Sequence, residues 1–291
     1  MFKKQSASNL STTEVIYTPD SSLRSPRRLF AEMRRDLVAS RELAWRLTVR
    51  DISAKYRQAW LGIAWAFLPP IAITAVFVLL NSQHLLNSGQ TSIPYTAFVL
   101  LGTVFWQLFS EALEAPLRVV NESKSLLTKV NFPVEALIIS VIMQVLFNFL
   151  IKLSLIALVF FYYKIQLPWT AIFAPFAISA LLLLGITLGL LLVPIGMLYT
   201  DISQGLSILL MFWLFISPVG YQPPQQGLLA KLTAVNPVAP LLLTARDLMT
   251  NGSFKYLEGF LWVSGTCLVL LAVAWLLYRL SMPIIIERIS A

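Results

Sequence analysis

Long apolar runs separated by short polar breaks dominate the chain, and the first of them sets the pattern. Residues 59–80, AWLGIAWAFLPPIAITAVFVLL, are 22 positions without a charge. At about 1.5 Å per residue such a run can cross a hydrocarbon core of roughly 30 Å. Immediately before it comes RELAWRLTVRDISAKYRQ, residues 41–58, in which apolar positions recur with a helical period. At about 100° per residue, Trp45, Val49, Ile52 and Tyr56 fall on one stripe. Glu42, Arg46, Arg50, Ser53 and Arg57 fall on the stripe beside it. A helix that is greasy on one side and arginine-rich on the other lies in the membrane–water interface. The spacing predicts an interfacial helix that runs straight into a spanning one.

Five more apolar stretches read as spans: 95–113, ending in Glu111 and Glu114; 135–161; 169–199, with Pro175 and Pro194 predicting tilt or a kink; 204–217, which is short; and 256–280. Between the last two, residues 228–235 and 238–249 are apolar but broken by Pro223, Pro224, Pro237 and Pro240. Neither is long enough to span, so residues 220–255 are read as a re-entrant or interfacial helical hairpin. Ser25-Pro26 predicts a helix start, and Leu29, Met33 and Leu37 share a face among arginines. This makes residues 1–40 an extension carrying a short surface helix. No apolar stretch follows Lys3 and Lys4, so the start does not read as a signal peptide. The expected fold is an all-α membrane protein with six transmembrane helices, an amphipathic helix at 41–58 before them and a hairpin before the last. Residues 283–291 are expected to be a tail.

Composition narrows this further. With 57% apolar and 12% charged residues in 291, the chain is too apolar for one soluble core. The unbroken aliphatic runs argue against a transmembrane barrel, which alternates. The net charge of +8 fits loops facing anionic lipid better than a nucleic-acid surface. Twelve lysines and arginines precede the first span, three lie between the second and third, and two follow the sixth. Only four occupy the opposite loops. The positive-inside rule then puts both termini in the cytoplasm and the hairpin outside. One cysteine, Cys267, and one histidine, His84, offer neither an internal disulfide nor a metal site. No G-x-x-x-x-G-K-[ST] loop and no Ser/His/Asp or Cys/His set occurs, so no catalysis is expected of this chain.

Arg50-Asp51, Lys55-Tyr56-Arg57-Gln58, Leu61-Gly62, Trp65 and Pro69-Pro70 resemble the start of ABC-type polysaccharide export permeases, which export O-antigen, capsule and teichoic-acid chains. The resemblance recurs in order at LTKVNFP (127–133), at Asp201, at Asn236-Pro237 and at Arg246-Asp247, covering about residues 41–282. It implies a six-span permease domain at 59–282 that forms a homodimer and pairs with two cytoplasmic ATP-binding subunits in the inner membrane. ATP and magnesium would be bound by those subunits and not by this chain. The substrate would be a lipid-linked polysaccharide.

Residue roles follow from the resemblance and compete with plainer readings. Residues 41–58 would be a gate helix whose Arg46, Arg50, Asp51, Lys55, Tyr56 and Arg57 meet the ATPase and the substrate's phosphate head group; the plainer reading is an anchor. Arginine suits phosphate because its planar fork binds two oxygens at once. The cytoplasmic loop 118–133, with Glu122, Lys124, Lys129, Asn131, Phe132 and Pro133, would couple to the ATPase, or is simply a solvated basic loop. Phe105, Trp106, Phe109, Phe212, Trp213, Phe215 and Tyr221 would line a channel by stacking on sugar rings, or pack against lipid. Asn236, Pro237, Arg246 and Asp247 mark the outer hairpin. Lys152, a charge inside a span, implies an interior partner or a polar cavity near Gln144 and Asn148, while Glu111 and Glu114 read as a plain helix end. A drug-exporting permease, an ion-coupled carrier and a membrane-embedded transferase are the rival functions. The carrier and the transferase would need acidic or His-rich clusters that the spans lack.

Overall fold

A computed structural model describes residues 26–57, 60, 62–84, 89, 91–129, 133–199 and 201–290, with backbone only at 26–32 and 289–290. All regular structure among them is helical. Helices α1 (Pro26–Ala39) and α2 (Arg41–Arg57) precede the bundle. A 3₁₀ turn (Gly62–Ala66) leads into α3 (Leu68–Ser82), followed by α4 (Tyr95–Glu122), the one-turn α5 (Lys124–Leu127) and α6 (Glu135–Tyr162). A second 3₁₀ turn (Trp169–Phe173) opens α7 (Ala174–Gly196), then α8 (Asp201–Ile216), α9 (Leu228–Val235), α10 (Val238–Thr250) and α11 (Leu257–Ser290) follow. Among the described residues five segments are long and apolar enough to cross a membrane, and α8 is a shorter apolar helix.

The expectation of a direct run from interfacial helix to span is corrected. The α-helix stops at Arg57 and resumes at Leu68, and Gly62 between them has a φ of +49°. That left-handed conformation suits a residue without Cβ and lets the chain turn into the bundle. Two other boundaries move. α4 continues from Leu113 to Glu122 through Pro116, so residues 118–122 are its last turn rather than loop. α11 carries on through Pro283 to Ser290, so most of the expected tail is helix.

α4 is the axis of the molecule, buried along most of its length, and α7 lies closest to it. The reason is small residues. A Cβ at Gly185 would stand 2.6 Å from Phe109 O and from Ala112 Cβ, and one at Gly189 2.5 Å from Leu113 O. Gly185-x-x-x-Gly189 is thus the spacing that lets two membrane helices touch backbone to backbone. By contrast α11 lies on the periphery, mostly exposed.

Side-chain contacts divide the bundle into two ends. At one, Arg279 near the end of α11 bonds Asp36 of α1 at 2.7 Å and pairs with Glu135 at the start of α6. Tyr278 hydroxyl donates to Val134 O at 3.2 Å there. At the other end, Tyr95 hydroxyl donates to Gly220 O at 2.8 Å, and Thr170 hydroxyl to Leu248 O at 2.9 Å. The bent α9–α10 pair, turned by 86°, begins and finishes at this second end. Gln222 before it neighbours Gly89, and Gly252 after it neighbours Pro168. The pair dips in and returns.

Candidate functional site

The predicted apolar stripe of α2 is split between the protein and the outside, with Ile52 half-buried and Tyr56 turned onto α6. Trp45 and Val49 are exposed, and the buried positions are Ala44, Leu47 and Thr48. Trp45 and Val49 are left pointing outward, and the smaller, more polar face lies on α6. That face recurs at i, i+3, i+4 and i+7 as Ala44, Leu47, Thr48 and Asp51.

Opposite it, α6 carries Ser140, Gln144, Asn148 and Lys152, one polar residue every four positions. Thr48 hydroxyl donates to Ser140 Oγ at 3.2 Å. Gln144 Nε2 donates to Asp51 Oδ2 at 3.0 Å and to Ser140 Oγ at 3.1 Å. Tyr56 hydroxyl donates to Asn148 Oδ1 at 2.9 Å, and Asn148 Nδ2 donates to Glu111 Oε2 of α4 at 3.3 Å. Lys152, buried at 3% exposure, pairs with Glu111 Oε1. The buried lysine therefore has its interior partner. Glu111 is corrected from a plain helix end to the centre of a polar network at membrane depth, where unpaired charge is expensive. Glu114 accepts from Ser207 of α8 at 3.0 Å.

Among the gate-helix candidates, Asp51 and Tyr56 point into this network, whereas Arg46 pairs with Glu42 at 2.6 Å on the exposed side. Arg50 Nε donates to Asp51 at 2.8 Å, and Arg57 is exposed. Desolvation pushes the Lys55 ammonium below the usual lysine range; Glu111 works against this, and Arg118 and Lys152 add to it. Burial and then the Glu111 charge push the Tyr56 phenol up, so its hydroxyl stays a donor.

The seven aromatic candidates are split by the fold. Phe105, Trp106 and Phe109 are buried in the core, and Trp213 stands edge-on to Trp106 and Phe109 at 6.2 and 5.3 Å between ring centroids. Phe212 and Phe215 point outward at 64% and 50% exposure. Tyr221 is buried, its hydroxyl donating to Ile216 O at 2.8 Å. Burial pushes its phenol up, and Thr233 partly offsets this. The single bundle thus fills its middle with rings instead of leaving them round an opening.

The hairpin candidates act as fasteners. Asn236 Oδ1 accepts from Trp213 Nε1 and from Val238 N–H, both at 3.0 Å, while its Nδ2 donates to Ser217 Oγ at 2.9 Å. This caps α10 and holds the corner beside Pro237 at the depth of Trp213. Arg246, at 1% exposure, stacks 3.8 Å above the Phe98 ring and donates to the carbonyls of Pro218 and Val219. Asp247 accepts from Asn251 and Ser253, both at 3.1 Å, closing the end of α10.

Of the coupling candidates, Glu122, Lys129 and Pro133 are exposed and Lys124 is half-buried in α5, at the Arg279 end of the bundle. Asn131 and Phe132 lie outside the described residues. Sequence reasoning missed Thr48, Ser140, Gly185, Gly189 and Arg279. The four-residue repeat on α6 and the glycine spacing on α7 were the available signals.

Residues 42–249 match the ABC-2 type transporter family. The chain is similar to the O-antigen export system permease protein RfbA of Myxococcus xanthus, at 27% identity over 82% of this chain and 92% of that protein. Two proteins of the same name from Klebsiella pneumoniae are 22% and 21% identical, over 72% and 78% of this chain and 81% and 88% of theirs.

Proposed function

Because the chain belongs to the ABC-2 type transporter family, a membrane family whose permeases associate with ATP-binding subunits, we propose that it is the transmembrane subunit of an ATP-driven polysaccharide exporter. Its substrate is a lipid-linked glycan of the O-antigen, capsule or teichoic-acid type, moved across the cytoplasmic membrane. The observation that carries this reading is similarity over 72–82% of this chain to three O-antigen export permeases. ATP and magnesium are bound by the partner, and this chain conducts and gates.

The geometry supports a division of labour. α2 packs on α6 with Arg46, Arg50 and Arg57 on its exposed side, where they can meet a phosphate head group at the interface. α5 is a short rigid piece at the Arg279 end, suited to take up force from an ATP-binding subunit, and that end is the cytoplasmic one. The ring cluster of Phe105, Trp106, Phe109 and Trp213 fills one bundle. A sugar chain therefore passes between two copies, and the functional unit is a homodimer with two ATP-binding subunits.

The test is deletion of the gene with measurement of glycan at the cell surface and on its inner-leaflet lipid carrier. Loss from the surface with finished lipid-linked chains accumulating inside is the expected result. Loss of both pools would point to synthesis, and an unchanged surface would favour a small-molecule exporter.

A further inference from the structure

α6 is otherwise mostly Leu, Ile, Val, Phe and Met, with Glu135 at its start and Ser154 further on, and a leucine at each of Ser140, Gln144, Asn148 and Lys152 would suit the bilayer better than what is there. All four polar side chains are spent on contacts to α2 or α4. α2, for its part, fully buries only Ala44, Leu47 and Thr48, with Leu43 half-buried on the core and the Tyr56 ring beside Phe147, a modest apolar contribution. Its attachment depends heavily on three polar contacts: Thr48 to Ser140, Asp51 to Gln144 and Tyr56 to Asn148.

We propose that this ladder is a latch that positions α2 on the bundle, with Glu111 and Lys152 as positioning residues that act through Asn148. Lys152 holds one oxygen of the Glu111 carboxylate, and the other oxygen takes the Asn148 Nδ2. The Asn148 amide is thereby fixed in one orientation, with Oδ1 turned toward the Tyr56 hydroxyl. The chain of partners runs from a buried charge in α6 through α4 and back to a helix at the membrane surface.

Directional bonds suit an element that must dock and undock. A hydrogen bond is lost over a small displacement and can be replaced by water at the interface. Interlocked apolar packing has no such substitute. That α2 undocks during transport rests on the export reading above; that the ladder holds it does not.

The experiment is hydrogen–deuterium exchange on the full-length permease in lipid nanodiscs, comparing residues 41–57 with α4 and α7. Asp51→Ala combined with Tyr56→Phe removes two rungs from the α2 side and leaves the bundle interior intact. Exchange in 41–57 should rise on the order of tenfold or more, since each rung lost contributes several-fold, with α4 and α7 unchanged. Removing Glu111 alone would strand a buried Lys152, so the second variant is Glu111→Leu with Lys152→Met, which neutralises the pair at similar volume. It removes no hydrogen bond made by α2, though it takes away the Glu111 charge that acts on Lys55 and Tyr56, and exchange in 41–57 should rise several-fold through the freed Asn148 amide. Unchanged exchange in α2 for either double variant, or an equal rise in α4 and α7, overturns the latch. Faster exchange in α2 with undiminished surface polysaccharide would keep the latch and overturn the reading of α2 as a moving gate.

Discussion

Single residues here act mainly as fasteners, and their burial sets what their loss would cost. Glu135 is at 1% exposure and pairs with Arg279, which also binds Asp36. Arg279→Ala leaves that carboxylate buried without its partner, so the protein should lose about 3–5 kcal/mol of stability, read as a lower thermal midpoint in detergent. Arg246→Lys keeps a charge but gives up the planar stack on Phe98 and the fork to two carbonyls. Its abundance in the membrane should fall, while Arg50→Ala on the exposed side of α2 should leave abundance unchanged and lower export. Equal losses of abundance and export in Arg50→Ala would remove the head-group role. Gln107 is of the opposite kind. Among the described residues neither its Nε2 nor its Oε1 has a partner, so Gln107→Leu should stabilise the fold by about 1–3 kcal/mol through relieved desolvation, read as a higher thermal midpoint.

At the scale of elements, α4 and α7 form the pair on which the others are assembled. Gly189→Leu would drive a side chain into Leu113 O and the Pro116 ring, neither of which can move away. Helix separation should follow, seen as loss of folded protein in size-exclusion profiles, whereas Gly205→Leu, in open space on α8, should be tolerated. Most element boundaries were legible because lipid demands long uncharged runs, and α9 and α10 were legible because prolines bracket them. The extension of α4 past Glu111 and Glu114 was not. Charged residues look like a helix end when their partners, Lys152 and Ser207, lie 41 and 93 positions away in the chain. The same holds for α2. Its period was plain, but amphipathicity has two apolar readings in a membrane protein, and the stripe was divided, Trp45 and Val49 turning outward and Tyr56 onto α6.

For the whole molecule, the dipping hairpin closes one end and the Arg279 cluster ties the other. Between them the core is packed with rings, so transport by one copy would require opening it. Substituting alanine at Trp213 should loosen the hairpin, because Asn236 loses its donor, and should lower export together with folded protein. Phe212→Ala and Phe215→Ala, on the exposed face, should lower export without lowering folded protein if that face borders the path of the glycan. Unchanged export in both would leave those rings as lipid contacts.

By itself the sequence determined the medium, the rough limits of most apolar helices, the two short proline-bracketed apolar stretches before the last of them and the family, because each depends on local composition or on short ordered motifs. Only the tertiary structure decided which face of α2 meets the protein, that Lys152 and Glu111 are partners, and that most of the candidate aromatics are core. Those outcomes depend on contacts between residues far apart in the chain, and no local period encodes which of two neighbouring helices, or lipid, a side chain will meet.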